Sequence, residues 1–223
     1  MSIKENLEQI KKNFVSSSCL LIAVSKTKPV EDIREAYEAG IRDFGENKVQ
    51  ELAEKQQTLP KDIRWHMIGH LQRNKVKYLA PFVYLIHGVD SFKLLKEIDK
   101  EGKKVNRIIN CLLQVHIAEE DTKFGLDEQE LLEILHSVEI KELQNVKVVG
   151  LMGMATFTED QQKIRQEFRK LKTIFNKLQS EKLPDNVMMQ ELSMGMSGDY
   201  LIAQEEGSTM VRIGSAIFGE RNY

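Results

Sequence analysis

The sequence predicts a (β/α)8 TIM barrel, in which eight parallel strands alternate with helices and close on themselves. Three observations carry that reading. Short apolar runs recur along the chain, each followed by an amphipathic segment. The runs are apolar along both faces, as strands are when helices cover both sides of a parallel sheet. Eight such units in roughly 200 residues match a closed barrel at the small end of its size range. An open doubly wound sheet is the alternative that the same alternation allows.

Each element follows from its own pattern. The opening residues 2–16 read as an extra helix, so that 1–18 form a helix packed on the barrel and 19–223 form the barrel itself. The first strand is Cys19–Ser25. The helix after it carries Ile33, Tyr37 and Ile41 on one face, with Pro29 near its start and Gly40 at its end. Phe44–Gly45, within "DFGENK", is placed as the second strand mainly by its position in the series. Trp65–Ile68, Tyr84–Val89 and Ile108–Val115 are the third to fifth. In "LDEQELLEILHSV", Leu131, Leu132, Leu135 and Val138 make a helical stripe. Val146–Met154 is the sixth strand. Ile164, Phe168, Leu171, Phe175 and Leu178 then recur at alternating spacings of four and three, which keeps them on one helical face. Met188–Ser193 and Thr209–Ile213 complete the series.

Composition narrows the function. Hydrophobic residues are 41% and charged residues 30% of the chain, the balance of an ordinary globular protein rather than a disordered one. A formal net charge of -2 gives no global field to recruit nucleic acid or anionic lipid. The N-terminus lacks an apolar signal core, and no apolar stretch approaches the roughly 20 residues that span a bilayer, so a cytoplasmic location without membrane partners is expected. Cys19 and Cys111 lie far apart with no CxxC, which fits a reducing compartment. His66 and His70 are four apart, but Met67 stands where a zinc HExxH motif needs glutamate, so no metal is expected. "QRNKVKY" is a small basic face without interleaved aromatics, and no nucleic-acid partner is expected.

Barrel active sites lie at the C-terminal ends of the strands, which turns the strand list into a shortlist. Lys26 follows the first strand in "LIAVSKTKP" and continues the face of Ile22 and Val24. Desolvation there favours the neutral, nucleophilic amine that a Schiff-base lysine needs, although a strand-end lysine is ordinarily just solvated. Glu46, Asn47 and Lys48 follow the second strand, His70, Gln72, Asn74 and Lys75 the third, and His116, Asp121, Lys123 and Gly125 the fifth. "SMGMSGD" and "IGSAIFG" follow the seventh and eighth. Either loop alone reads as turn chemistry. Together, in the slots where barrels often bind phosphate, they suggest an anion cradle built from backbone amides and the hydroxyls of Ser193 and Ser197. Arg212 shares a strand face with Met210 and Gly214. It is either a structural partner of an acidic side chain or a fixed donor aimed at a ligand. A reactive amine, an anion cradle and a fixed guanidinium are the parts needed to hold pyridoxal 5′-phosphate (PLP) by its aldehyde, phosphate and ring nitrogen.

"AVSKTKP", "FGENKVQE", "WHMIGHLQRNK", "LSMGMSGD" and "GSTMVRIGSAIFG", in this order from about residue 20 to Tyr223, closely resemble the YggS/PROSC family of PLP-binding proteins, also called the pyridoxal phosphate homeostasis protein family. The resemblance implies a single barrel like the N-terminal domain of alanine racemase, with PLP held as an internal aldimine on Lys26. It implies a phosphate cradle from Ser193, Met194, Gly195 and Ser197 with Gly214 and Ser215, and Arg212 as partner of the pyridine nitrogen. Asn47 stands near the cofactor, and Lys123 falls in the slot of a family turn. The loop "MGMATF" lacks a proline often seen there, so its contacts are not carried over. No roles are assigned to Lys48, Lys75 or Lys123.

No catalytic residue is named. A guanidinium facing the pyridine nitrogen leaves the ring unprotonated and a poor electron sink. The tyrosine base of alanine racemase comes from a C-terminal β domain, whereas this sequence runs only to Tyr223 after a last strand ending at Ile213. The expectation is therefore a PLP-binding protein of intracellular PLP homeostasis, without robust turnover. It is expected to be a monomer, with apo PLP enzymes as recipients. A PLP-dependent racemase-like enzyme and a Schiff-base aldolase acting on a phosphosugar are the alternatives.

Overall fold

In the computed structural model, which describes residues 2–119 and 124–219, the chain opens with helix α1 (Ile3–Lys12). Strand β1 (Leu20–Val24), α2 (Val30–Glu38), β2 (Asp43–Glu46), α3 (Val49–Thr58) and β3 (Arg64–Met67) follow. A short α4 (Val76–Leu79) leads to β4 (Leu85–Val89), then α5 (Phe92–Lys104) and β5 (Ile109–Gln114). Next come α6 (Glu128–His136), β6 (Val146–Met152), α7 (Gln161–Gln179) and β7 (Val187–Met196). The described chain ends with α8 (Tyr200–Glu205), β8 (Met210–Ile213) and α9 (Ser215–Phe218). Every strand pairs in parallel with the next, and β8 pairs with β1 through Ile22 opposite Arg212, so the sheet closes as the sequence predicts.

Local chemistry explains the elements. Ser2 and Glu5 form a reciprocal capping box at the start of α1. Pro29 caps α2 with its fixed φ, and Gly40 at φ 96° lets the chain turn out of that helix. Asp160 accepts from the amides of Gln162 and Lys163 to start α7. Its stripe from Ile164 to Leu178 is buried, each large side chain contributing about 1.5–3 kcal/mol. The α6 stripe is shorter than expected. Leu131 and Leu135 are buried, but Ser137 ends the helix by bonding the Ile134 carbonyl, and Val138 is 75% exposed. Strand β7 runs three residues beyond its expected end and so carries the "SMGM" segment itself.

Strand side chains alternate between two cores. Those pointing outward, such as Ala23, Phe44, Ile86, Leu113, Leu192 and Val211, pack with the helices. Ile22, Leu85, Leu112, Val149, Met152 and Met210 fill the interior. Helix α1 belongs to the outer core through Leu7 and Ile10, and Asn6 Nδ2 donates to the Ile217 carbonyl of α9. Among the described residues no helix is long and apolar enough to cross a membrane.

Candidate functional site

Lys26 stands half-buried on the turn that leaves β1, and the turn is clamped on both sides. Ser25 Oγ donates to Glu46 Oε1 at 2.5 Å, and Lys55 Nζ bridges the Ser25 carbonyl (2.7 Å), Glu46 Oε1 (2.8 Å) and Glu51 Oε1 (2.6 Å). Glu51 also accepts from the Thr27 amide at 2.6 Å. Thr27 itself sits at φ 64°, an uncommon place for a β-branched residue, and one that neighbouring structure must impose. Beyond it, Lys28 Nζ donates to the carbonyls of Phe218 and Gly219. The backbone bearing Lys26 is thus tied to β2, α3 and the end of α9. Glu46 and Lys55 are both buried. Burial pushes the Glu46 carboxyl up against the pull of Lys55 and Ser25, and its Oε2 makes no hydrogen bond among the described residues.

Arg212 lies inside the barrel on the face of Met210, as its strand parity requires. Only 4% of it is exposed. Its NH1 donates to Ser193 Oγ at 2.6 Å and its NH2 to the Gly153 carbonyl at 3.2 Å. Neither partner is a carboxylate, so the alternative of a direct structural ion pair does not hold. Burial lowers the guanidinium to about 10, with Asp199 pulling the other way, so it stays charged at neutral pH. Ser193 is fully buried and its hydroxyl also meets His87 Nδ1 at 2.9 Å. The Ser193 hydroxyl is thus shared between Arg212 and His87 inside the barrel.

The two glycine-rich loops meet. Ser197 Oγ accepts from the Gly214 amide at 3.2 Å, joining the end of β7 to the start of α9. Gly195 has φ 96°, and a Cβ there would stand 2.5 Å from that of Ala203, so the turn needs glycine twice over. Met194 points its side chain into the outer core, leaving only its backbone for the mouth. Gly214 and Ser215 open the single turn of α9 beside the end of β1, where a Gly214 Cβ would be 3.1 Å from the Val24 carbonyl. Lys26, Arg212 and both loops therefore converge on the β1–β8–β7 side of the barrel's C-terminal end.

Asn47 follows β2 on the neighbouring side. A Cβ on Gly69 would come 2.4 Å from the Asn47 carbonyl, so the chain leaving β3 passes directly against it. Asn47, Lys48, His70, Gln72, Lys75 and Tyr78 share a cavity of about 590 Å³ outside the strands. Lys48 and Lys75 thus line the flank of the site, while Lys123 lies outside the described residues. His70 Nδ1 sits 3.3 Å from Asp90 and its ring stacks on Phe124.

Sequence reading missed the clamp residues Lys55 and Glu51 and the partners of Ser193. His66, set aside above as part of a zinc motif, lies inside the barrel, bonded to Asp43 and His87. The signal was available in strand parity, which puts Asp43, His66 and His87 on the inward face. Burial lowers both imidazoles and keeps them neutral.

The alanine racemase N-terminal domain family matches residues 1–222. A pyridoxal phosphate homeostasis protein of Aquifex aeolicus is 45% identical over 91% of this chain and 87% of its own length. The human protein of that name is 40% identical over 91% of this chain and 77% of its own. PipY of Synechococcus elongatus, solved with PLP bound, superposes with a TM-score of 0.87 at 36% identity, covering 98% of this chain and all of that one. With a closed barrel over its described length and relatives of this identity and coverage, the chain belongs to the pyridoxal phosphate homeostasis protein family.

Proposed function

We propose that this chain binds PLP reversibly at the C-terminal end of its barrel and serves PLP homeostasis as a carrier rather than as a turnover enzyme. The observation that carries the reading is Arg212: a guanidinium inside the barrel that contacts a hydroxyl and a carbonyl, leaving its charge for a ligand. The relatives' names and the PLP-bound PipY support it.

The residues present fit the cofactor. PLP, when bound, supplies an aldehyde that condenses with amines. Lys26 holds that aldehyde, on a turn whose clamp fixes the amine's origin. Arg212 would donate to the ring nitrogen, and because it does not readily release its proton the ring would stay unprotonated, which would disfavour the electron-sink chemistry of transamination and decarboxylation. The backbone of Met194 and Gly195, the Ser197 hydroxyl, and Gly214 with Ser215 would hold the phosphate. Asn47 would stand near the cofactor, and Ser193 would act through Arg212. In this reading the protein works in the cytoplasm as a monomer and gives PLP up to apo PLP enzymes.

The test is a PLP titration followed by incubation with a panel of amino acids in heavy water. One removable cofactor per chain is expected, and no Lys26-dependent Cα exchange above that of PLP with free lysine. Sustained exchange or product formation would make the protein a racemase-like enzyme instead.

A further inference from the structure

Five side chains cross the barrel interior in an unbroken line. Arg212 NH1 meets Ser193 Oγ at 2.6 Å, Ser193 Oγ meets His87 Nδ1 at 2.9 Å, His87 Nε2 meets His66 Nδ1 at 3.0 Å, and His66 Nε2 meets Asp43 Oδ1 at 3.0 Å. All five residues are at most 4% exposed. The line starts on β8, passes to β7, crosses the lumen to β4 and ends on β2, where Arg64 Nε also holds Asp43 at 2.7 Å. TIM barrel interiors are ordinarily filled with branched apolar side chains, so a polar file through this one calls for a reason.

Its direction follows from elementary chemistry. An ionised carboxylate only accepts, so His66 Nε2 carries the hydrogen it gives to Asp43. A neutral imidazole then has a bare Nδ1, which takes the hydrogen on His87 Nε2. His87 Nδ1 is bare in turn and takes the Ser193 hydroxyl hydrogen. That leaves a Ser193 lone pair facing Arg212, which only donates. Both ends are fixed, one by a group that cannot accept and one by a group that cannot donate. A protonated His66 would set its Nδ1 hydrogen against that on His87 Nε2, and a protonated His87 would make the Ser193 oxygen accept from both neighbours and turn its own hydrogen out of the file.

We propose that His87 and His66 are positioning residues that aim Arg212: their one-way chain commits the Ser193 hydrogen away from the site and holds the guanidinium on a neutral oxygen. This rests on Arg212 as the donor to the ring nitrogen. A carboxylate in direct contact would form a two-pronged pair with the guanidinium and occupy its donors. Here the carboxylate of the file, Asp43, lies two imidazoles and a hydroxyl away and is already paired with Arg64. Arg212 keeps its donors for an acceptor in the site, and a protonated pyridinium is refused.

Two measurements test this. The first needs no cofactor: nitrogen NMR of the histidine-labelled protein at neutral pH. His66 and His87 should each carry hydrogen on Nε2 and none on Nδ1; the other tautomer, or a doubly protonated ring, at either position overturns the proposal. The second compares PLP-loaded variants. His87→Leu should weaken PLP binding about tenfold, the scale of one charge-assisted hydrogen bond, and displace the visible band. His87→Gln, which keeps a donor and an acceptor, should recover much of both. Leu85→Ala, an apolar interior change, should lower the melting temperature without moving the band. A folded His87→Leu protein with the wild-type band and affinity shows a merely structural file, and the proposal fails. If His87→Leu does not fold, Ser193→Ala is read by the same criteria. Absence of any PLP band in the wild type defeats the assignment of the site, which the tautomer result, taken without PLP, does not touch.

Discussion

The turn that bears Lys26 is held through its neighbours Ser25 and Thr27. Lys55 ties Ser25, Glu46 and Glu51 together beneath its turn, and removing one partner from a buried pair leaves the others unbalanced. Lys55→Met is expected to cost about 3–5 kcal/mol in a urea unfolding experiment and to weaken PLP binding more than the stability loss alone explains, since Thr27 is then free to leave its φ of 64°. Gly195→Ala is expected to weaken PLP binding at least tenfold in a titration, because a side chain is disfavoured at φ 96° and meets Ala203. At this scale the sequence was only partly legible. The placement of Lys26 at a strand end and of Arg212 on the inward face of β8 was legible because strand parity and strand ends are one-dimensional properties. Lys55 could not, because it is one lysine among many on amphipathic helices, and only folding brings α3 under β1. Ser193 was placed on the right strand, though not at its end, and the partner of its hydroxyl, His87, lies 106 residues away.

At the scale of elements, α1 and α9 form one support. Leu7 is buried, and Asn6 holds the Ile217 carbonyl of the short helix whose first turn closes the site. Leu7→Ala is expected to destabilise by about 3 kcal/mol, measured by chemical unfolding, with some loss of PLP affinity as α9 loosens. All eight strands were legible, including the short second one, because apolar runs in a parallel sheet are buried on both sides and recur at a regular interval. The ends were less so. The α6 stripe continues in sequence to Val138, yet the Ser137 hydroxyl satisfies the Ile134 carbonyl and stops the helix before it. Strand β7 outran its apolar run because Met196 pairs with Arg212 of β8 through the backbone, which side-chain pattern does not record.

The whole molecule carries a pH dependence set by its interior. His66 and His87 are held neutral by burial, and their folded values lie below the unfolded value of about 6.5. The unfolded chain therefore binds more protons as pH falls through that value, and stability is lost toward acid. The carboxyl of Asp43, held below its usual range by His66 and Arg64 against burial, adds its own loss only below about 3.8. Glu46, raised by burial, acts in the opposite sense just above its ordinary 4.5. The melting temperature is thus expected to drop between pH 7 and pH 5.5, and the slope in that window to shrink in His87→Leu even though its absolute stability is lower. A barrel that spends its interior on a polar file gives up apolar packing there, and the outer core of helices and strands carries the fold.

The central claim is that the first strand ends in a lysine in order to hold an aldehyde. The most direct test is a visible absorption spectrum of the protein with PLP, beside Lys26→Ala, followed by borohydride reduction and peptide mass mapping. The account predicts a band that is lost in the variant and a phosphopyridoxyl mass on Lys26. A band that survives in Lys26→Ala, or a label scattered over exposed lysines such as Lys48, would contradict it.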